Sequence, residues 1–321
     1  MTHPARTKST EAPSHIRRRV SGNRIGRALP RCSSRAETQD PRLRGPSRLL
    51  VAGAYDGLSA RLVERAGFDA IWASGFCVSA SRALADANVL SMDQLVQTVG
   101  EMTRAVSIPV IVDCDEGYGE LANTTRLSRM LQAVGARAMS IEDSTFPKAN
   151  SYFGVSDRRL VSVDQFVCKI QAIRESAPDM LIVARTEALI AGLGLSEALL
   201  RAEEYAANGA DWILMHSAFS GLAEFRSMAA SWHGKKPLVV VPTLAQGVTF
   251  SQLHDAGFQV VIYANQLLRA SVRAMETVLT GLRELQAPDA LGDQLSPLDH
   301  MFELTDMGAA MRPLPTNESA E

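Results

Sequence analysis

Residues 110–120 read VIVDCDEGYGE, an apolar run that ends in two aspartates one residue apart, then a glutamate and two glycines. Side chains at i and i+2 of a strand share a face, so Asp113 and Asp115 point the same way. Carboxylates that close raise each other's pKa unless a cation intervenes. A solvated strand end fits the same letters, so the rest of the chain has to decide. RAMSIED (137–143) supplies another strand-end carboxylate, Glu142. An all-oxygen ligand set suits a hard divalent cation: Mg²⁺ keeps several waters and takes only one or two direct carboxylates. An EF-hand reading of DxDxG fails, because the twelfth loop position is Thr124, where a bidentate Glu is required. A Zn²⁺ site would need converging His and Cys, and the sequence has no such cluster.

Two later strand ends carry the opposite chemistry. Arg185 closes MLIVAR and His216 closes DWILMH. The guanidinium is a planar fork matched to a carboxylate or phosphoryl group, and His216 is expected to add a charge-assisted bond to the same anion. Each alone also suits a salt bridge or a core position; opposite a carboxylate cluster, function is the better reading. The segment EDSTFPKANSYFGVSDRRL (142–160) is long for a βα connection and mixes Pro, Gly, Ser and charge, as active-site lids do. Lys148 and Asn150 lie within it, placed to swing onto a bound anion.

These groups need a scaffold that gathers strand ends. Short apolar runs recur at 49–53, 69–74, 108–113, 137–142, 180–185, 211–216, 237–242 and 259–264, separated by helix-like stretches at 57–66, 91–105, 122–134, 162–176, 196–208, 220–232, 249–256 and 266–285. Eight βα units with strands apolar on both faces predict a (β/α)8 TIM-type barrel, whose active site lies at the strands' carboxyl ends. AGFDA, VGARA, NGADW and AGFQV each put a Gly where a helix ends, the residue that takes the left-handed cap at no steric cost. Ser91, Ser162 and Ser196 are expected helix N-caps. Cys114, between the two aspartates, is expected to face the other way and pack. The chain divides into a basic extension over 1–45, the barrel over 46–285 and a helical or tail segment over 286–321 that is expected to pack on a partner subunit.

Composition narrows the class. The chain has 321 residues, 46% of them hydrophobic, and a formal charge of −2. Residues 1–40 hold nine Lys or Arg against three acids, so the remainder is acidic and nucleic acid is not the expected partner. The extension lacks hydrophobic periodicity and reads as disordered. No apolar run reaches the length of a membrane span. Four scattered cysteines without a CxxC pair argue against a disulfide scaffold and fit a cytoplasmic protein.

The motifs YDGLSARLVERAGFDAIWASGF (55–76), ADANVLS (85–91), DCDEGYG (113–119), ARTEALIAGLG (184–194), ILMHS (213–217) and YANQLLRASV (263–272) resemble the phosphoenolpyruvate mutase/isocitrate lyase superfamily, in its mutase and phosphonopyruvate hydrolase branch. The resemblance runs from about Leu50 to Arg283. It implies a barrel whose eighth helix is exchanged between subunits of a dimer, with dimers pairing into tetramers, and a small-molecule substrate. It implies Mg²⁺ on Asp113, with Asp86, Asp115 and Glu142 holding its waters. Arg185, His216 and the backbone at Ser74, Gly75 and Phe76 would grip the substrate's acidic groups, with Asp86, Lys148, Asn150, Arg185 and His216 as the catalytic set. The implied reaction is an isomerisation of phosphoenolpyruvate to 3-phosphonopyruvate, the first step of phosphonate biosynthesis. Hydrolysis of phosphonopyruvate to pyruvate and phosphate is the alternative, and a related reaction on another 2-oxo acid a lesser one. Three positions depart or mix signals: Ser144 stands where the family pattern has Lys, Thr145 is hydrolase-like, and Glu116 replaces a common Thr and adds charge near the metal. Restoring lysine at 144 is expected to raise mutase activity if the lid's charge is limiting, and to change nothing if the departure is tolerated. PKANS lacks the cysteine of the lyase branch.

Overall fold

A computed structural model of the chain describes residue 43, residues 48–153 and residues 158–311. The rest of the expected 1–45 extension and the tail beyond 311 lie outside the described residues.

Every apolar run becomes a strand: β1 (Leu49–Ala54), β2 (Ala70–Ala73), β3 (Val110–Asp113), β4 (Ala138–Glu142), β5 (Leu181–Thr186), β6 (Trp212–Met215), β7 (Leu238–Val240) and β8 (Val260–Tyr263). Each pairs in parallel with the next, and β8 pairs with β1, which closes the barrel as expected. The two-residue alternation sorts the core into two layers. Ile111, Ala138, Val183, Trp212, Leu214 and Ile262 fill the barrel interior. Val112, Cys114, Met139, Ile182 and Ala184 face the surrounding helices, so Cys114 packs outward as expected. The alternation that puts Ile111, Val183 and Leu214 inside carries Asp113, Arg185 and His216 inward at the top. At the β1–β8 seam, a Cβ on Gly53 would lie 1.9 Å from the Ala264 carbonyl oxygen. Only glycine closes that seam.

The helices are α1 (Gly57–Arg65), α2 (Gly75–Ala80), α3 (Met92–Ala105), α4 (Leu121–Ala133), α5 (Val163–Ser176), α6 (Gly194–Ala207), α7 (Leu222–Ala230), α8 (Phe250–Asp255) and α9 (Gln266–Leu285). Gly67, Gly135, Gly209 and Gly257 all have positive φ, as the repeated junction predicts. Ser91 and Ser162 cap α3 and α5, each in a capping box. Ser196 does not cap: α6 begins at Gly194, behind Leu193, which leaves Ser196 inside the first turn. Helix α2 was not expected; it is six residues long and starts on the Ser74 side chain, which accepts from the Cys77 N–H at 3.3 Å.

Along α9 only Leu268 is buried. Val272, Met275, Leu279 and Leu282 form an exposed apolar stripe at helical spacing, with Leu279 65% exposed. After a 3-10 turn (Pro288–Gln294) come α10 (Leu298–Leu304) and α11 (Met307–Ala310). This segment meets α1 of its own chain, where Arg61 Nη1 donates to the Leu304 carbonyl at 2.6 Å and to Asp306 at 2.7 Å. No described helix is long and apolar enough to cross a membrane.

Candidate active site

The strands' carboxyl ends open into a cavity of about 260 Å³. Ser74, Phe76, Asp86, Asp113 and Glu142 line one part of it, and Lys148, Asn150, Arg185 and His216 another. Gly75 and Asp115 stand just behind: a Cβ on Gly75 would come within 3.2 Å of Asp115 Oδ1 and 3.5 Å of Asp113 Oδ2, so glycine lets the α2 backbone approach both carboxylates. The Gly75 N–H donates to Asp113 Oδ2 at 3.3 Å. Every residue expected at the site from sequence is gathered at this one end of the barrel.

The acidic wall is compensated only in part. Lys148 Nζ lies 2.8 Å from Asp86 Oδ1 and bonds Asp115 Oδ1. Arg185 reaches Glu142 Oε2 at 3.2 Å and sits 3.9 Å from Asp113 Oδ1. Four carboxylates thus face three cations, the third being Arg158, 3.8 Å from Glu142 Oε1. Burial pushes Asp115 well above the usual carboxylate range; Lys148 opposes this, and Asp113, Asp86 and Glu142 add to it. Burial likewise raises Glu142 to about 7, against the pull of Arg185. Burial alone would lower the Lys148 pKa, but Asp115, Asp86, Asp113 and Glu142 hold it well above its ordinary value. Among the described residues no three His, Cys, Asp or Glu converge as a ready-made cage. Mg²⁺ does not need one, since one or two carboxylates and water suffice. The surplus negative charge and the all-oxygen donors fit such an ion. The hydroxyl of Ser140, which pairs with Asp113 across the sheet, is buried and makes no hydrogen bond, and so can serve an ion's water.

On the opposite side Glu187 organises the anion-binding groups. Its Oε1 accepts from Arg185 Nε at 2.6 Å and lies 2.7 Å from His216 Nδ1. His216 Nδ1 lies 2.7 Å from both Glu187 Oε1 and Arg185 Nη2, and Nε2 is 3.1 Å from the Tyr152 hydroxyl, so both ring nitrogens are held. Burial lowers the His216 pKa and Arg185 lowers it further, with Glu187 opposing. This corrects the expectation of a charge-assisted bond from His216: it stands as a positioned neutral imidazole. The ED pair divides its work. Glu142 enters the cavity, whereas Asp143 accepts from Thr186 at 2.8 Å, from Tyr205 at 2.8 Å and from the Glu187 N–H at 2.9 Å, fastening β4 to the end of β5.

After β4, Lys148, Ala149, Asn150, Ser151 and Tyr152 cover the cavity as a lid, and an antiparallel bridge joins Ser144 to Leu160. Asn150 Nδ2 donates to Asp86 Oδ2 at 2.7 Å, and Ser151 lies between Arg185 Nη2, at 2.9 Å, and Glu187 Oε2, at 3.0 Å. The Lys148 N–H donates to Asn88 Oδ1 at 2.6 Å, and Asn88 Nδ2 in turn donates to Glu116. Glu116 is fully buried, is not among the residues that line the cavity, and holds the lid from below through Asn88. Sequence reasoning missed Asn88, Tyr152, Arg158 and Arg269, of which Tyr152 and Arg269 line the cavity. Glu187 carried a usable signal, because it shares a strand face with Arg185.

Comparison with known proteins agrees with this geometry. The model of the phosphoenolpyruvate phosphomutase family matches residues 42–283. The chain is 38% identical to phosphoenolpyruvate phosphomutase from Streptomyces hygroscopicus, over 82% of this chain and 85% of the relative. It is 40% identical to phosphonopyruvate hydrolase from Variovorax sp. (strain Pal2), over 75% and 86%. The crystal structure of a phosphoenolpyruvate phosphomutase from Streptomyces platensis subsp. rosaceus superposes with a TM-score of 0.80 at 40% identity, covering 83% of this chain and 93% of that one. A phosphonopyruvate hydrolase in complex with oxalate and Mg²⁺ superposes with a TM-score of 0.76 at 36% identity, covering 82% and 92%.

Proposed function

This chain belongs to the phosphoenolpyruvate phosphomutase family, and from that premise we propose that it interconverts phosphoenolpyruvate and 3-phosphonopyruvate. The observation that carries the reading is the lid that lays Lys148 and Asn150 on the acidic wall, opposite Arg185, over a cavity sized for a small anion. In the proposed reaction the bond from phosphorus to the enol oxygen breaks and a bond from phosphorus to the methylene carbon forms. No proton or electron enters or leaves. The moving group is metaphosphate-like, so catalysis consists of positioning and electrostatics.

Asp113, with Asp86, Asp115 and Glu142 acting through water, would hold Mg²⁺, which when bound neutralises charge on the pyruvyl oxygens. Arg185 and the backbone of Ser74, Gly75 and Phe76 hold the pyruvyl part still. Lys148 and Asn150 offer N–H donors to the phosphoryl oxygens from above. His216, neutral and fixed by Glu187, orients the lid through Tyr152 and gives the phosphoryl group a wall to turn against. Water must stay out while the phosphorus is unattached, or hydrolysis competes; the closed lid supports that exclusion. The 40% identity to a phosphonopyruvate hydrolase keeps the hydrolytic reading as the second one.

Phosphorus NMR of the purified enzyme with Mg²⁺ and phosphonopyruvate tests both. Conversion to phosphoenolpyruvate establishes the mutase, and release of phosphate without it establishes the hydrolase. An unchanged spectrum sinks both and leaves another 2-oxo acid. We further propose that the apolar stripe of α9 is covered by a second copy, the eighth helix being exchanged within a dimer and dimers pairing as a tetramer, and that the enzyme works in the cytoplasm.

A further inference from the structure

One buried cation has no part in the reaction outlined above. The Arg158 side chain is 2% exposed. Its Nη1 donates to Glu187 Oε2 at 3.1 Å and to Ser144 Oγ at 3.2 Å, and lies 3.8 Å from Glu142 Oε1. Its Nη2 donates to the carbonyl of Ala149. One guanidinium therefore joins the first turn of the lid, the middle of the lid and two carboxylates of the barrel rim. Those carboxylates are the ones that hold the anion-binding groups: Glu142 faces Arg185, and Glu187 fixes both Arg185 and His216. Burying a guanidinium is costly unless it is well paired, and removing one partner of a buried pair leaves an uncompensated charge.

Ser144 explains why the space exists. A lysine at this position would aim its ammonium at the same rim carboxylates, whereas serine leaves room and a hydroxyl acceptor for a cation that arrives from the lid's far end. We propose that Arg158 is a positioning residue that supplies the lid cation Ser144 lacks, fastening the lid shut and setting Glu187, and through it Arg185 and His216, for the reaction. The inference rests on the proposed function only for the choice of substrate. It reverses the expectation that lysine at 144 raises activity, because a second cation would crowd the first.

The test compares R158Q, S144K and the double variant in the full chain with Mg²⁺. Turnover is read by phosphorus NMR as loss of phosphonopyruvate, whichever product forms. Lid closure is read separately as chymotrypsin cleavage after Phe146, Tyr152 and Phe153, with circular dichroism confirming that each variant is folded. R158Q should lose roughly tenfold or more in kcat, the factor that corresponds to about 1.4 kcal/mol, and its lid should be cut faster. S144K alone should bring no gain, and S144K in the R158Q background should restore part of both readouts, which a merely structural arginine would not allow. Wild-type turnover and cleavage in R158Q, or a double variant no better than R158Q, overturns the proposal. Should the wild type leave phosphonopyruvate untouched, the reading of the reaction fails, while the cleavage pattern and its rescue still decide the role of Arg158.

Discussion

Lys148, carried by the lid, and Asp86, carried by the loop after α2, meet at 2.8 Å across the cavity mouth. The same ammonium bonds Asp115, so the lid's cation occupies charge that a metal would otherwise offset. Lys148→Ala should therefore abolish turnover, by roughly a hundredfold or more, without weakening Mg²⁺ binding. Isothermal titration with Mg²⁺ beside a turnover assay checks the pair of outcomes. Loss of both would mean that Lys148 builds the metal site instead of closing it.

Asp113→Ala should remove Mg²⁺ binding and turnover together, the latter by roughly a thousandfold. Asp113 is the carboxylate that touches the α2 backbone at Gly75 and faces Arg185. Retained activity in this variant, measured at saturating Mg²⁺, would sink the metal assignment.

Tyr152→Phe removes the hydroxyl on His216 Nε2 and should cost about two- to tenfold in turnover, the worth of one neutral hydrogen bond. Tyr152→Ala opens the lid further. If the wild type is a mutase, the alanine variant should release a larger share of phosphate and pyruvate, read by phosphorus NMR. An unchanged product ratio would show that Tyr152 does not guard the site from water.

His216 gives a pH dependence whose sign is fixed. Burial lowers its folded-state pKa below the unfolded value, so the unfolded chain binds the proton more readily. The stability of the neutral, buried ring is present above the unfolded pKa of about 6.5 and is lost as the pH falls through the folded-state value. Relative to His216→Asn, the wild type should lose thermal stability as the solution is acidified from about pH 7.5 to about pH 5. Parallel melting curves for the two proteins across that range would contradict it.

Leu279→Glu places a charge on the exposed stripe of α9. Sedimentation should show a smaller assembly than the wild type, with the far-ultraviolet spectrum of the barrel unchanged. An unaltered assembly would place the subunit contact elsewhere.

The parts of this site that lie on strands were legible, and of the lid only Lys148 and Asn150 were. Glu142 and Arg185 are cross-strand neighbours, and both follow from period-two alternation in apolar runs. The glycine junctions were legible because one steric fact, a positive φ at a helix end, repeats along the chain. The short helix α2 has too few turns to show an apolar stripe. Ser196 looked like a cap, but the helix starts two residues earlier, at Gly194, where φ is +84°. Arg158 and Tyr152 stand in a segment with no period, so only the folded lid reveals that one meets Glu187 and the other His216. Glu116 follows Asp115 in sequence, yet Asp115 sits at φ +51° in a turn and the Glu116 carboxylate meets Asn88, outside the cavity lining.

The glycine at the β1–β8 seam bears on how the protein is made. Because β1 can close only against β8, the barrel's first strand keeps one unpaired edge until nearly the whole barrel has been synthesised. Unpaired edges invite pairing with other chains. An alanine at Gly53, which would press on Ala264, should therefore reveal itself as poor yield and a demand for chaperones during expression, more than as a slow enzyme.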